Sequence, residues 1–522
     1  MKNYLMILIF ILSFACCNLT AENIIIDKNS NINEPAIKID PNNPARIVAG
    51  ANIDNSYISN DTGKTWKKIK LTAPLGVWGD PCIDVDSDGN FYFFHLSNPP
   101  ITVGKWIDRI MCQRLDANEE IFNYKSYLYV DGNKAQDKEW SVINPKNNNI
   151  YVTWTQFDSY GSTLPTDSSS IMFAKSNDKG LTWSKATRLN SVAGDCIDSD
   201  NTTEGAVPAI GVNGEIYVTW MGPLGLVFNK SIDDGQTWMP QEKVLQDLPG
   251  GWDFNIPGIM RSNGFPIIKC DLSNSDNRGN IYINWSDQRN GIYDTDIWLI
   301  KSKDGGNTWS ERIRVNNDSA GKHQFFTWMD IDQTNGYIYI IFYDRRAYND
   351  YATDVYMAVS TDGGNTFNNF KISDTPFVPN SNIFFGDYIN ISVHNGIIRP
   401  IWIRMDRNIN SIMTETDPLS KSSVKEEFIN EFNENINAKT YPNPADNYVY
   451  TSFKLKEKSK VSIGLYDIHG KIIFSLKDNV IYESGAYSEL IDISKLNLQS
   501  GIYYTKITIN NNIKTLKTVI ID

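Results

Sequence analysis

An eight-residue string, Ser-x-Asp-x-Gly-x-Thr-aromatic, occurs five times in the chain and constrains its fold more than any other feature. The copies run from Ser59 to Trp66, Ser176 to Trp183, Ser231 to Trp238, Ser302 to Trp309 and Ser360 to Phe367. The carboxylates of Asp61, Asp178, Asp233, Asp304 and Asp362 suit acceptance of hydrogen bonds from turn N–H groups, while the glycine takes a left-handed conformation that other residues resist. The threonine and the aromatic then begin a returning strand. Each string is a hairpin clamp, and its acidic residue is structural.

Strands surround these turns. Asn149 to Trp154, Glu215 to Trp220, Asn280 to Trp285 and Tyr337 to Phe342 share an alternating apolar pattern, with Ile397 to Trp402 a looser copy. Such alternation predicts half-buried strands. About ten residues before each lies a polar group followed by an apolar run: Glu34-Pro35-Ala36, Asp80-Pro81-Cys82, Asp137-Lys138-Glu139-Trp140, Glu204-Gly205-Ala206, a weak one near Pro266, Gln324-Phe325-Phe326 and Gly386-Asp387-Tyr388. These starts define seven units of roughly 45–65 residues, the scale of a four-stranded propeller blade. The second and seventh units lack the hairpin string. The expected class is all-β, a seven-bladed propeller with six blades as the alternative, and Asn23 to Ile26 completing the last blade.

The repeats resemble the Asp-boxes of bacterial sialidase-like propellers, the BNR repeat proteins, over about residues 30 to 410. Farther on, Tyr441-Pro442-Asn443-Pro444, Val461 to Asp467 leading to Gly470-Lys471, and Ser500-Gly501-Ile502-Tyr503-Tyr504 resemble the type A sorting domain of the type IX secretion system. That resemblance implies a small β-sandwich, export across the outer membrane, and secretion machinery as a partner. At the other end, Lys2 and the apolar run from Tyr4 to Phe14 have the layout of a signal peptide cleaved near Ala21; Cys16 and Cys17 leave a lipoprotein signal as the alternative. The expected organisation is a signal peptide (1–21), propeller (22–408), linker (409–437) and sorting domain (438–522). Export would proceed through Sec and then type IX secretion to the medium or cell surface, with no membrane span in the mature chain. A net charge of −12 without a basic stripe argues against nucleic-acid binding. No cofactor or metal motif is present, and a monomer is expected. Cys82, Cys112, Cys196 and Cys270 permit three pairings that spacing does not rank.

Blade topology locates the chemistry. In an up-and-down blade the hairpins mark one face, and the starts of inner strands and the loops leaving second strands lie on the other. That face should carry Asp80, Asp137, Glu139, Glu204, Asp387 and Tyr388, together with Asp287-Gln288-Arg289 and Asp344-Arg345-Arg346 at equivalent loop positions. Paired arginines suit a planar carboxylate or sulfate, and flanking carboxylates suit glycosidic cleavage. The same loops also read as internal Asp–Arg salt bridges. The resemblance implies a glycoside hydrolase acting on acidic glycans, with Tyr388 as nucleophile, Glu204 as its base partner, Asp80 as acid/base, and Arg289, Arg345, Arg346, Asp137, Glu139 and Asp387 binding substrate. The family's Phe-Arg-Ile-Pro string is absent; Ala45-Arg46-Ile47-Val48 stands nearest, in a turn on the hairpin face. A non-catalytic glycan- or protein-binding surface protein is the alternative, and a polysaccharide lyase using His95 is a third reading. Asp84-Val85-Asp86-Ser87-Asp88-Gly89 resembles the start of a calcium loop but lacks the distant glutamate, and reads as a turn.

Overall fold

Alternating apolar residues punctuated by glycine turns fold, in a computed structural model, into consecutive four-stranded antiparallel sheets. The structure describes residues 22–29, 31–128, 131–422, 437–455, 457–468, 470–496, 498–510 and 512–521. The expected signal peptide and residues 423–436 of the expected linker lie outside them. Seven four-stranded sheets occupy the described part of the first unit, which extends to Lys421. Their innermost strands are Ala36–Ile39, Gly79–Val85, Ala135–Ile143, Glu204–Ile210, Ile267–Cys270, Gln324–Asp332 and Asn390–His394. Each touches the innermost strand of the next sheet, and the seventh touches the first, so the sheets close into a ring of blades.

Closure uses the chain start. Ile24–Lys28 is the outermost strand of the seventh blade, pairing Ile24 with Thr414 and Lys28 with Ser411. This shields a sheet edge that would otherwise stay open to pairing. The same blade moves one expected boundary. Ile409–Thr414, assigned above to the start of the linker, is its third strand, paired with Ile401 to Asp406. The segment carries no charge because it is packed in a sheet, with Asn410 to Thr414 buried.

The second strands also depart from expectation. Ile150–Phe157, Ile216–Gly222, Ile281–Asp287 and Tyr337–Asp344 are buried at every residue, not on alternate ones. Blades stack face to face, so the polar-looking face of each strand is covered by its neighbour.

The repeated hairpins join blade to blade. Within each, the serine Oγ accepts from the glycine N–H at 2.8–2.9 Å, and the aspartate Oδ1 accepts from the threonine N–H at 2.8–3.0 Å. The five glycines have φ between 72° and 83°. Their open side faces the preceding blade: a Cβ on Gly235 would meet Phe173 at 2.6 Å, and one on Gly306 would meet Phe228 at 2.5 Å. A cation from that preceding blade then donates to the carbonyl three residues after the serine. These contacts are Arg114 to Lys179, Lys175 to Asp234, Lys230 to Gly305, Lys301 to Gly363 and Arg399 to Thr62, at 2.6–3.3 Å. The clamp is thus as much tertiary as local.

The second unit, Ser422–Asp522, is a sandwich. Its three-stranded sheet comprises Asn437–Tyr441, Tyr448–Leu455 and Gly485–Asp492; its four-stranded sheet comprises Ser459–Tyr466, Ile472–Tyr482, Gly501–Ile509 and Asn512–Ile520. Val449, Phe453, Val461, Ile463, Leu465, Ile491 and Ile507 form its core. In the propeller all four cysteines are free and buried.

Candidate active site

Where the inner strands begin, the same irregularity recurs. The register with the second strand slips between Gly79 and Cys82, Asp137 and Trp140, Glu204 and Val207, and Phe325 and Trp328. Inside each slip stands a residue of positive φ: Asp80 (54°), Lys138 (51°), Gly205 (72°) and Phe326 (48°), with Glu34 (51°) at the matching point of the first blade. Such bulges re-aim side chains, and left-handed conformations at non-glycine residues cost about 1–3 kcal/mol each. Three neighbouring blades therefore each hold an ionisable residue in a strained backbone state. All three side chains meet.

Lys138 is the centre of that meeting. Its Nζ lies 2.7 Å from Asp387 Oδ2, 3.1 Å from Asp80 Oδ2 and 3.6 Å from Glu34 Oε1, with the side chain only 5% exposed. Arg261 donates through Nε to Asp387 Oδ1 at 2.8 Å and through a second nitrogen to Oδ2, and its third contact is Asp198 at 3.2 Å. Asn52 donates to Glu34 and Asn33, and its carbonyl oxygen accepts from the Asp80 N–H at 2.7 Å. Tyr160 donates to Asp198 at 2.7 Å.

Carboxyls outnumber cations here, and their protonation divides accordingly. Burial, reinforced by neighbouring carboxylates, pushes Glu34, Asp137, Glu139 and Glu204 well above the usual carboxyl range. At Glu204 the nearby Asp198 adds to the rise caused by burial, and neither carboxyl oxygen of Glu204 finds a hydrogen-bond partner. Burial alone would raise Asp387 too, but Lys138 and Arg261 outweigh it and hold that carboxyl far below its ordinary value. For Lys138, burial opposes the charge, and Asp387, Asp80 and Glu34 more than restore it.

A cavity of about 500 Å³ opens over this network. Glu34, Asp80, Asp137, Lys138 and Arg261 form its polar floor, and Trp78, Trp106, Tyr160, Ile383 and Phe384 its apolar wall. Trp78 and Trp106 meet edge to face at 5.6 Å and remain 38% and 42% exposed. Asn52, Ile53, Trp106, Tyr160 and Asn408 reach the cavity from inter-strand loops, and Leu96 from the end of strand Phe91–Leu96, at the ends of blades away from the hairpins.

Of the acids expected to act together, Asp80 and Asp137 line the cavity and Asp387 pairs with Lys138 beside it, whereas Glu139 and Glu204 are fully buried and do not line it. Tyr388 lies against them but faces inward: its ring packs on Trp140 and Trp328, and its hydroxyl reaches only the Pro81 carbonyl, at 3.5 Å. Burial drives that phenol well above its usual value. The three arginines are elsewhere. Arg289 closes on Asp287 at 2.9 Å and stacks near Trp298; Arg346 closes on Asp344 at 2.8 Å and lies 4.2 Å over Tyr356. Arg345 donates to Thr353 and to the Pro257 carbonyl. None lines the cavity, so the internal salt-bridge reading of both loops holds and no arginine clamp forms. A short Asp-x-Arg loop lets the guanidinium reach its own aspartate more easily than the axis.

His95 is fully buried, with Nδ1 at 2.8 Å from the Leu96 carbonyl and Nε2 at 2.8 Å from the Gln113 amide. Burial lowers its pKa to about 4, and it is a packed neutral histidine. Asp86 accepts from the Asp88 and Asn90 N–H groups and from the Tyr92 hydroxyl, which makes the Asp84–Gly89 stretch a turn. Arg46 reaches the Asp116 carbonyl on the hairpin side.

Sequence reasoning missed Lys138, Arg261, Asp198, Asn52 and the two tryptophans as site residues, and noted Glu34 only as a strand start. Lys138 had a signal, since it occupies the slot of Asp80 and Glu34 once the bulge is aligned. Arg261 had none, lying in the long connection before the weakest unit.

Residues 439–522 match the secretion system C-terminal sorting domain. The chain is therefore addressed for export, to the cell surface or the medium. No helix among the described residues is long and apolar enough to cross a membrane. No curated protein matches the sequence. Among solved structures, the Hadza microbial sialidase Hz136 is 12% identical, covering 71% of this chain and 72% of its own, with a TM-score of 0.40. The Trypanosoma rangeli sialidase in complex with the inhibitor DANA is 10% identical over 86% and 85%, with a TM-score of 0.41. A PL25 ulvan lyase bound to -[GlcA(1-4)Rha3S]- is 13% identical over 75% and 95%, with a TM-score of 0.44.

Proposed function

We propose that this exported propeller is a glycoside hydrolase whose central cavity holds a sugar against Trp78 and Trp106 and presents Asp80 and Asp137 to the glycosidic bond. The supporting observation is two carboxyls on one cavity floor in different environments. Asp137 is kept protonated by burial and by Asp80, as a general acid needs. Asp80 is ion-paired with Lys138 at 3.1 Å and serves as base or nucleophile. Exposed aromatic faces beside such a pair suit the apolar faces of sugar rings.

Replacing either carboxyl by its amide, Asp80→Asn or Asp137→Asn, should lower kcat on a cleaved glycan by about 10²–10⁴-fold. Full turnover in both variants would refute the assignment. The route through Tyr388 and paired arginines has no support in this geometry, because the tyrosine is buried and the arginines are engaged elsewhere. Non-catalytic glycan recognition through the same cavity is the second reading, favoured by how fully Asp387 and Lys138 are committed to internal pairs. It predicts saccharide binding that depends on Trp106, with no product released from any glycan in a broad screen.

A further inference from the structure

The cavity keeps one hydrogen-bond donor that the protein leaves unused, and the bonds around it fix which atom that is. The Asp80 N–H donates to Asn52 Oδ1 at 2.7 Å, which orients the Asn52 amide and makes its other end a donor. Asn52 Nδ2 donates to Glu34 and, at 2.8 Å, to Asn33 Oδ1. The open end of the Asn33 amide is therefore its Nδ2, which donates to no atom among the described residues. Asn33 lines the cavity and is only 6% exposed, yet this nitrogen is not sealed off. A donor left open on a residue so nearly buried is a place for an acceptor on a ligand. The two cations of the cavity offer no such opening. Arg261 spends Nε and Nη2 on Asp387 and Nη1 on Asp198, and Lys138 lies within 3.6 Å of Asp387, Asp80 and Glu34. An entering carboxylate or sulfate would have to break one of these pairs, whereas a hydroxyl needs only the open amide. Asn31, Asn382 and Asn408 also line the cavity, and neutral amides both donate to hydroxyls and accept from them.

Resting on the glycan reading above, we propose that the saccharide this cavity selects is a neutral one, with a ring hydroxyl accepting from Asn33 Nδ2 while an apolar ring face lies on Trp106. The polar contacts run from amide to hydroxyl, and the sugar needs no charge of its own. An acidic sugar is disfavoured, because its carboxylate gives up water without gaining an unpaired cation.

The test is calorimetric titration of the full exported chain near neutral pH with matched pairs of tetrasaccharides. The probes are β-1,4-linked glucan, mannan and galactan tetramers, each set against the same chain with its hydroxymethyl groups oxidised to carboxylates. A neutral tetramer should bind at least about tenfold more tightly than its oxidised partner, with an affinity that added salt leaves unchanged. Asn33→Asp keeps an oxygen for the bond from Asn52 and removes the donor. Checked for an unchanged melting profile, it should weaken the neutral tetramer by about tenfold. Trp106→Ala, at an exposed position, should weaken it by about the same factor. An oxidised tetramer binding as tightly as its neutral partner, or more tightly, overturns the neutral class and leaves the glycan reading intact. Neutral binding indifferent to Asn33→Asp overturns the role given to the open amide, and the inference with it. Binding of none of these tetramers overturns the glycan reading itself.

Discussion

Replacing Lys138 by methionine removes the charge at the centre of the cavity floor while keeping an unbranched side chain of similar reach. The left-handed backbone at this position, φ 51°, is as costly for Met as for Lys, so backbone strain cancels in the comparison. What is lost is the ammonium 2.7 Å from Asp387, 3.1 Å from Asp80 and 3.6 Å from Glu34. Asp387 keeps Arg261 as a partner, but Asp80 loses its ion pair. Removing one partner of a buried ion pair destabilises by about 3–5 kcal/mol, mostly the cost of the charge left behind. The loss should shrink at pH 5, where the orphaned carboxyls can take up protons. Urea denaturation followed by tryptophan fluorescence measures this in the propeller alone, because all 14 tryptophans precede residue 403 and none lies in the sorting domain. A Lys138→Met variant within about 1 kcal/mol of wild type at neutral pH, or one equally impaired at pH 5, would refute this account of the network.

Stability should fall as pH rises above about 6.5, the ordinary histidine value. Glu34, Asp137, Glu139 and Glu204 have raised folded-state values, so the folded chain binds more protons than the unfolded one until each carboxyl ionises. Each still-protonated carboxyl contributes a slope of about 1.36 kcal/mol per pH unit. His95 and His323, lowered to about 4, act oppositely but only below 6.5, where the unfolded imidazoles charge. A flat or rising urea midpoint between pH 6.5 and 8.5 contradicts this, and Glu204→Gln should reduce the slope. In the hairpins, Gly306→Ala combines φ 82° with a Cβ placed 2.5 Å from Phe228, an expected loss of about 2–4 kcal/mol. Gly321→Ala, at φ 92° with open space around it, should cost only the backbone part, and equal melting temperatures for the two would exclude the inter-blade clamp. Tyr388→Phe removes a hydroxyl with one long contact, at 3.5 Å, and should leave turnover within about threefold of wild type; abolished turnover would restore this tyrosine to the chemistry.

The hairpins were legible in the sequence because their hydrogen bonds close within eight residues, from Ser59 to Trp66 and its four counterparts, so the spelling of the turn is the geometry of the turn. The sorting domain was legible for the same reason, through its own turns and alternating strands. A closing strand was legible at Asn23 to Ile26, and forms over Ile24–Lys28, because the last blade would otherwise be left a strand short with an open edge. The site was only half legible. Its acids could be found by their place at strand starts, but alternation says nothing of a bulge that turns Glu34, Asp80 and Lys138 toward one point. The Asp-x-Arg loops spell a substrate clamp and an internal salt bridge identically. Distance decides between them, and in the folded chain Arg289 and Arg346 are nearer their own aspartates than the axis. The sequence by itself determined the blades and the export address, which rest on contacts between near neighbours. Only the tertiary structure decided which charges meet at the centre, because that depends on residues as distant as Glu34, Lys138, Arg261 and Asp387 being carried together by the ring.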